Sequence, residues 1–212
     1  MKIFLDSADL ADIRDAVRSG LVDGLTTNPS LLARARVVPE EFLAAVSELV
    51  PGPVSFPVRS VETDDIVREG RALAAAHERL VVKIPITPAG LRAIARLHGE
   101  GVRTHATLCC TASQALLAAR SGADFVSPLV GRLEERGEPG LELVSQIVDI
   151  YDNYEYDTQI IAASIQKLQY VHEVARLGAD GVTVPKPLFD ALFRHPLTDS
   201  LQETFLAEWK RI

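Results

Sequence analysis

Lys83 has surroundings that fit poorly with an ordinary surface role. It stands in LVVKIPI (80–86) with apolar residues on both sides, the pattern of a strand covered on both faces. Burial disfavours an ammonium ion, lowers its pKa and leaves a neutral amine able to attack a carbonyl. The bland alternative is a lysine whose stem lies in the strand wall while its head reaches water. Further polar residues recur at matching places in other apolar runs. Residues i and i+2 of a strand share a face, which pairs Thr26 with Asn28 and His105 with Thr107, while Asp6, Ser127 and Ser164 close runs of their own. An acid beside the amine would shuttle protons. Asp6 could instead cap a helix, although Ser7 and Asp9 can do that. Asn28 precedes Pro29 and could simply start a turn. Thr107 and Ser164 could satisfy local backbone groups, and Arg132, in SPLVGRLEE, is either a solvated arginine or a phosphate clamp.

The elements that must position these groups alternate from end to end. The strand candidates are KIFL (2–5), GLTT (24–27), VSFPV (54–58), LVVKI (80–84), THAT (104–107), DFVS (124–127), TQIIAAS (158–164) and DGVTV (180–184). Between them lie amphipathic stretches such as ADLADIRDAVRSG, ETDDIVREGRALAAAH, GLRAIARLHGEG, TASQALLAARSG and PLFDALFRH, and DSLQETFLAEWKRI adds a further helix at the C-terminus. Alternating strands and helices imply parallel pairing, in a closed barrel or a doubly wound sheet. SGLVDGLTTNP, SGADFVSPL and LGADGVTVP share one layout, a helix-ending Gly, a turn, an apolar strand holding Thr or Ser, then Pro. Such repetition favours a barrel. No strand is followed by GxGxxG or GxxxxGK[ST], the glycine fingerprints of nucleotide folds. The expectation is a single (β/α)₈-barrel domain over residues 1–212, with its site at the C-terminal ends of the strands. ERGEPG (135–140) reads as an exposed loop.

Composition narrows the partners. A chain of 212 residues with 47% hydrophobic and 24% charged residues suits one soluble globular domain. A formal net charge of −7 argues against nucleic acid. Cys109 and Cys110 are the only cysteines; neighbours in sequence, they cannot form an ordinary structural disulfide. A helix N-terminus after the fifth strand would lower their thiol pKa, but buried inert thiols are the commoner case. Asp6 and Asp9 interrupt MKIFLDSADL, so no signal peptide is expected; nor is a membrane span, and the cytoplasm is the expected location. His77, His98, His172 and His195 fall on helices or their ends and read as structural, as does the aromatic run YDNYEY (151–156).

Taken in order, FLDSAD, GLTTNPSLL, VVKIPITPAGL, TASQALLAARSGADFVSPLVGRL, IYDNYEYDTQIIAAS and LGADGVTVPKPLFDALFRHPLTD resemble the transaldolase family, in particular its small subgroup that includes the fructose 6-phosphate aldolases. The resemblance spans nearly the whole chain in one register. It implies a (β/α)₈ barrel and class I chemistry, with Lys83 as the Schiff-base lysine that carries a dihydroxyacetone unit to an aldehyde. Asp6 matches the acid that handles the proton at the cleaved bond. Asn28 and Thr107 match groups that bind substrate and a catalytic water, and Ser127, Arg132 and Ser164 match substrate and phosphate contacts. No metal or organic cofactor is implied, and the partner is a sugar or sugar phosphate. The subgroup forms rings of five, often stacked as ten, with the C-terminal helix reaching a neighbour. Four positions depart from the pattern. Pro57 stands where Glu or Gln is usual, His105 where Asn is usual, Leu129 where an aromatic is usual, and Gln166 where a basic residue helps to bind phosphate. Lys167, next to it, would face the other way if the strand continued. With the carboxylate at position 57 gone, His105 becomes the candidate to activate water. The readings that follow are a transaldolase acting between sugar phosphates, an aldolase-type lyase or specialised relative acting on less phosphorylated substrates, and a non-catalytic homologue that binds a metabolite.

Overall fold

The chain is described by a computed structural model covering residues 1–211. Its eight strands are β1 (Lys2–Asp6), β2 (Gly24–Thr26), β3 (Val54–Pro57), β4 (Leu80–Pro85), β5 (Thr104–Cys109), β6 (Phe125–Pro128), β7 (Gln159–Ala162) and β8 (Gly181–Val184). Each pairs in parallel with the next, and β8 pairs with β1, closing the barrel. The helices are α1 (Leu10–Arg18), α2 (Pro29–Ala35), α3 (Pro39–Leu49), α4 (Thr63–Ala76), α5 (Pro88–Gly99), α6 (Ala112–Arg120), α7 (Val130–Glu134), α8 (Gly140–Tyr154), α9 (Leu168–Leu177), α10 (Lys186–Ala191) and α11 (Pro196–Trp209). This is the expected (β/α)₈ barrel with an added C-terminal helix, and not the doubly wound sheet that the alternating pattern also allowed. Among the described residues, no helix is long and apolar enough to cross a membrane.

Local chemistry fixes where the helices begin. The Asp9 carboxylate accepts from the backbone N–H groups of Ala11 and Asp12 at 2.7 and 3.1 Å, so it caps α1 and leaves Asp6 to the barrel. Asn28 Oδ1 accepts from Leu31 N at 3.0 Å, with Pro29 opening α2; the side chain thus starts the helix while standing at the strand end. Thr111 and Gln114 form a capping box on α6. Cys109 therefore belongs to the end of β5 and Cys110 to the turn, two residues before the helix.

Strand alternation fills the barrel in layers. At the N-terminal end Lys2 Nζ donates to Gln159 at 3.0 Å. Above it lies an apolar layer of Phe4, Val81, Phe125 and Ile161, with the Phe4 and Phe125 rings meeting edge-on, 6.2 Å apart. Next come Thr26, Ser55, His105, Ser127 and Thr183, all buried. The outward faces of the strands supply the other core, against the helices.

Two strand ends differ from simple alternation. The β5–β6 register shifts between Ala106 and Cys109, and Leu108 takes φ +62°, which turns it out of the wall. β7 ends at Ala162, followed by one isolated bridge between Ala163 and Leu129. Ser164 thus lies beyond the strand, at φ +60°, and the alternation that would oppose Gln166 and Lys167 does not reach them. Finally, α11 buries no residue; Leu197, Leu201, Phe205 and Trp209, spaced by four, are all exposed.

Candidate active site

A cavity of about 560 Å³ opens at the C-terminal end of the strands. Six of the ten residues singled out from the sequence line it: Asp6, Asn28, Lys83, Thr107, Arg132 and Ser164. The register sets Pro57 and His105 beside Lys83 on its two neighbouring strands. Pro57 lines the cavity as an apolar wall, as do Leu31, Val58, Pro85, Leu108 and Leu129.

Lys83 is 7% exposed, and its Nζ donates to the Thr27 carbonyl at 3.0 Å. Burial holds its pKa below the ordinary lysine value, with the Asp6 charge acting in the opposite sense. Burial pushes the Asp6 carboxyl up, against the lowering effects of Lys83, of the Thr26 hydroxyl bonded to it and of Arg34. Desolvation thus drives the pair towards a neutral amine and a protonated acid. An amine whose N–H goes to a carbonyl keeps its lone pair for attack on carbon, and a carboxyl raised in this way can give and regain a proton.

Thr26 and Thr183 orient that acid. Thr26 Oγ1 donates to Asp6 Oδ1 at 2.8 Å. Its single proton is then used, so the 2.6 Å contact with Thr183 Oγ1 is a bond donated by Thr183. Thr26 is 1% exposed and holds Asp6 from beneath the cavity. Thr183, which lines the cavity, was missed in the sequence reading, although LGADGVTVP repeats the layout of GLTTNP.

His105 and Ser127 sit lower still. Ser127 Oγ donates to the Ile161 carbonyl at 2.9 Å, so at 2.7 Å it must accept from His105 Nε2–H. Nδ1, 2.7 Å from Ser55 Oγ, therefore accepts from Ser55. The ring is a neutral Nε2–H tautomer with both nitrogens engaged, and it is 1% exposed. Burial, then the Lys83 charge, holds its pKa well below the ordinary imidazole value of 6.5. His105 was expected to activate water, but no lone pair of its ring remains free and the ring does not line the cavity. Ser127 is likewise engaged below the cavity rather than in its wall.

On the β6–β7 side, Glu135 gathers the polar groups. It pairs with Arg132 at 3.0 Å and accepts from the Gln166 amide, which draws Gln166 to the outer rim. The chain is pressed tight here: a Cβ on Gly131 would lie 1.9 Å from the Ser164 carbonyl oxygen, so only glycine lets α7 approach that loop. On the opposite side Arg34 also lines the cavity. The sequence reading missed it, although helical spacing from Ser30 to Arg34 would have put both on one face.

The remaining nucleophiles lie elsewhere. The Cys109 thiol is buried and pushed up to about 12, and that of exposed Cys110 is also raised. Tyr151 donates to the Ala115 carbonyl at 2.8 Å and packs on Tyr156, the helix-end packing expected of YDNYEY. Among the described residues, no three His, Cys, Asp or Glu side chains are grouped to hold a metal ion.

Comparisons with known proteins bear on the family and the fold. A family model described as Transaldolase/Fructose-6-phosphate aldolase matches residues 3–211. The chain is 49% identical over 209 residues to a protein of Caulobacter sp. (strain K31), covering 99% of this chain and 96% of that one. It is 47% identical over 213 residues to one of Myxococcus xanthus (100% and 96% covered). It is 46% identical over 211 residues to one of Phenylobacterium zucineum (100% and 97%). All three are named "Probable transaldolase". Among solved structures, thiamine phosphate pyrophosphorylase from Pyrococcus furiosus superposes with a TM-score of 0.58 at 17% identity, covering 87% of this chain and 85% of its own; that likeness is one of fold alone.

Proposed function

Because the chain belongs to the transaldolase/fructose-6-phosphate aldolase family, we propose that it is a class I transaldolase that moves a dihydroxyacetone unit between sugar phosphates. The observation that carries this reading is the buried amine of Lys83 sharing one cavity with the raised carboxyl of Asp6. The amine adds to the ketose carbonyl carbon. The Asp6 acid gives its proton to the departing hydroxyl, so water leaves and a protonated imine forms. The resulting carboxylate takes the proton of the hydroxyl borne by the far carbon of the bond to be cleaved. That carbon–carbon bond breaks, its electron pair enters the imine to give an enamine, and an aldehyde departs. The enamine then attacks the acceptor aldehyde, Asp6 protonates the new alkoxide, and water hydrolyses the imine to free Lys83. Asn28, Thr107 and Ser164 are assigned to substrate hydroxyls and water, and Arg132 and Gln166 to the phosphate side. Thr26 holds Asp6, and His105 with Ser127 form a positioning layer beneath.

The exposed stripe Leu197–Leu201–Phe205–Trp209 supports a homo-oligomer, with the pentamer or decamer implied by the resemblance. On this reading the activity is assigned to cytoplasmic carbohydrate metabolism of the pentose phosphate kind. An aldolase-type lyase remains the second reading, favoured by the apolar wall at Pro57 and Leu129; product analysis with and without an acceptor aldehyde separates the two. The central test is trapping. Fructose 6-phosphate with borohydride should leave an adduct of donor mass on the peptide containing Lys83, and Lys83→Met should abolish it. An adduct on another lysine, with Lys83→Met fully active, overturns the assignment.

A further inference from the structure

In the buried polar layer of Thr26, Ser55, His105, Ser127 and Thr183 the protons run in fixed directions. Thr26 donates to Asp6, Ser55 to His105, His105 to Ser127, and Ser127 to the Ile161 carbonyl. Thr183 is the one of these five that lines the cavity. Its proton goes to Thr26 at 2.6 Å, its one side-chain hydrogen bond among the described residues, so its lone pairs stay free. The fold does not need this hydroxyl. With the isosteric valine at position 183, Thr26 would still donate to Asp6, and no buried donor would lose its acceptor. A buried hydroxyl on which no donor depends, with free lone pairs at a cavity wall, is matched by a donor inside that cavity. Its placement says which one. β8 lies four strands from β4 in the ring of eight and next to β1. Thr183 therefore faces Lys83 across the mouth, with Asp6 beside it, and a carbonyl compound joined to Lys83 and served by Asp6 lies between them.

We propose that Thr183 is a further substrate-binding residue, whose oxygen accepts a hydrogen bond from a hydroxyl of the dihydroxyacetone unit held on Lys83 and so selects hydroxylated donors. The inference rests on the class I transaldolase reading and adds a specificity-determining contact to it; the phosphate side at Arg132 and Gln166 is left as assigned. The contact runs one way. Because the only proton of Thr183 is taken by Thr26, its oxygen receives a hydroxyl hydrogen and has nothing to give to an acceptor at the same place. A donor that carries hydrogen or methyl there excludes water and leaves the oxygen without a partner. A site built to bond a substrate hydroxyl discriminates against the analogue lacking it for that reason.

The test is equilibrium trapping in the intact protein. Dihydroxyacetone, or acetone as the ketone without hydroxyls, is equilibrated with the protein, and a brief pulse of borohydride fixes the imine on Lys83 for mass measurement. The ratio of the two half-saturating concentrations reads recognition of the hydroxyls, and not the speed at which Asp6 moves protons. Thr183→Val should lower the preference for dihydroxyacetone over acetone roughly tenfold, the scale of one buried hydrogen bond. Thr183→Ala, which also lacks the hydroxyl, should lower it similarly, and Thr183→Ser should keep most of it. Thermal melts of each variant show that it is folded. A preference unchanged in both Thr183→Val and Thr183→Ala overturns the proposal. So does an equal weakening with both ketones, which would reduce Thr183 to a support for Thr26 and Asp6. The two levels separate in the parent protein: adducts on Lys83 with an unaltered preference in the variants sink only the role of Thr183, whereas no adduct with either ketone sinks the class I reading on which it rests.

Discussion

Replacing His105 with leucine, a side chain of similar bulk, would leave the Ser55 hydroxyl without its acceptor and Ser127 without its donor; the bond from Ser127 to the Ile161 carbonyl would survive. A buried donor left unpaired costs about 1–3 kcal/mol, and an oxygen losing one incoming proton costs less. The variant should therefore be destabilised by roughly 1–4 kcal/mol at about pH 8, a fall in Tm of about 2–16 °C for a chain of this length. The pH dependence gives the sharper test. Burial and the Lys83 charge hold the folded imidazole well below 6.5, so between that folded value and 6.5 the unfolded chain binds a proton that the folded chain refuses. The stability contributed by neutral His105 is thus fully present above 6.5 and declines as pH falls, by up to about 1.4 kcal/mol per pH unit. His105→Leu lacks this decline. Urea unfolding at fixed protein concentration should show the gap between parent and variant shrinking, by up to about 2 kcal/mol, from about pH 8 to about pH 5. A gap that stays constant, or a variant as stable as the parent at the higher pH, would refute the neutral, doubly bonded imidazole.

Other consequences concern the site and the surface. The double variant Lys83→Met/Asp6→Asn removes two buried ionisable groups at no change in net charge; it should be inactive yet between equally stable and about 4 kcal/mol more stable than the parent. Lys83→Met alone should be less stable than the double variant, because Asp6 loses the charge that opposes its desolvation; urea titrations at about pH 8 rank the three, and a double variant well below the parent contradicts the account. Iodoacetamide should label Cys110 and spare Cys109, whose thiol is buried and pushed up to about 12; peptide mass spectrometry finding both labelled in folded protein would show that β5 opens. Light scattering should give a mass well above the 23.0 kDa of one chain, and Leu201→Glu should reduce it; a monomeric parent rules out self-association through α11.

The sequence by itself determined the elements and most of the cavity lining, because both follow from short-range rules. Period-2 alternation brings Thr26, His105, Thr107 and Lys83 inward on their strands, and all eight candidate strands overlap the observed ones to within two residues at either end. Asp9 and Asn28 cap helices through neighbours two or three residues away, which is equally local. Tertiary structure decided which inward groups meet, since depth in the barrel depends on the stagger between strands and not on the pattern along any one of them. Thus His105, beside Lys83 in register, bonds to Ser55 and Ser127, across 50 and 22 residues, and is buried with both ring nitrogens engaged. The same holds at the rim. Ser164 is aimed by a positive φ and by the close approach of Gly131, and Arg132 and Gln166 are drawn to Glu135. Closure of the ring sets Arg34 opposite Arg132, because only a closed sheet brings residues nearly a hundred positions apart to facing edges of one cavity.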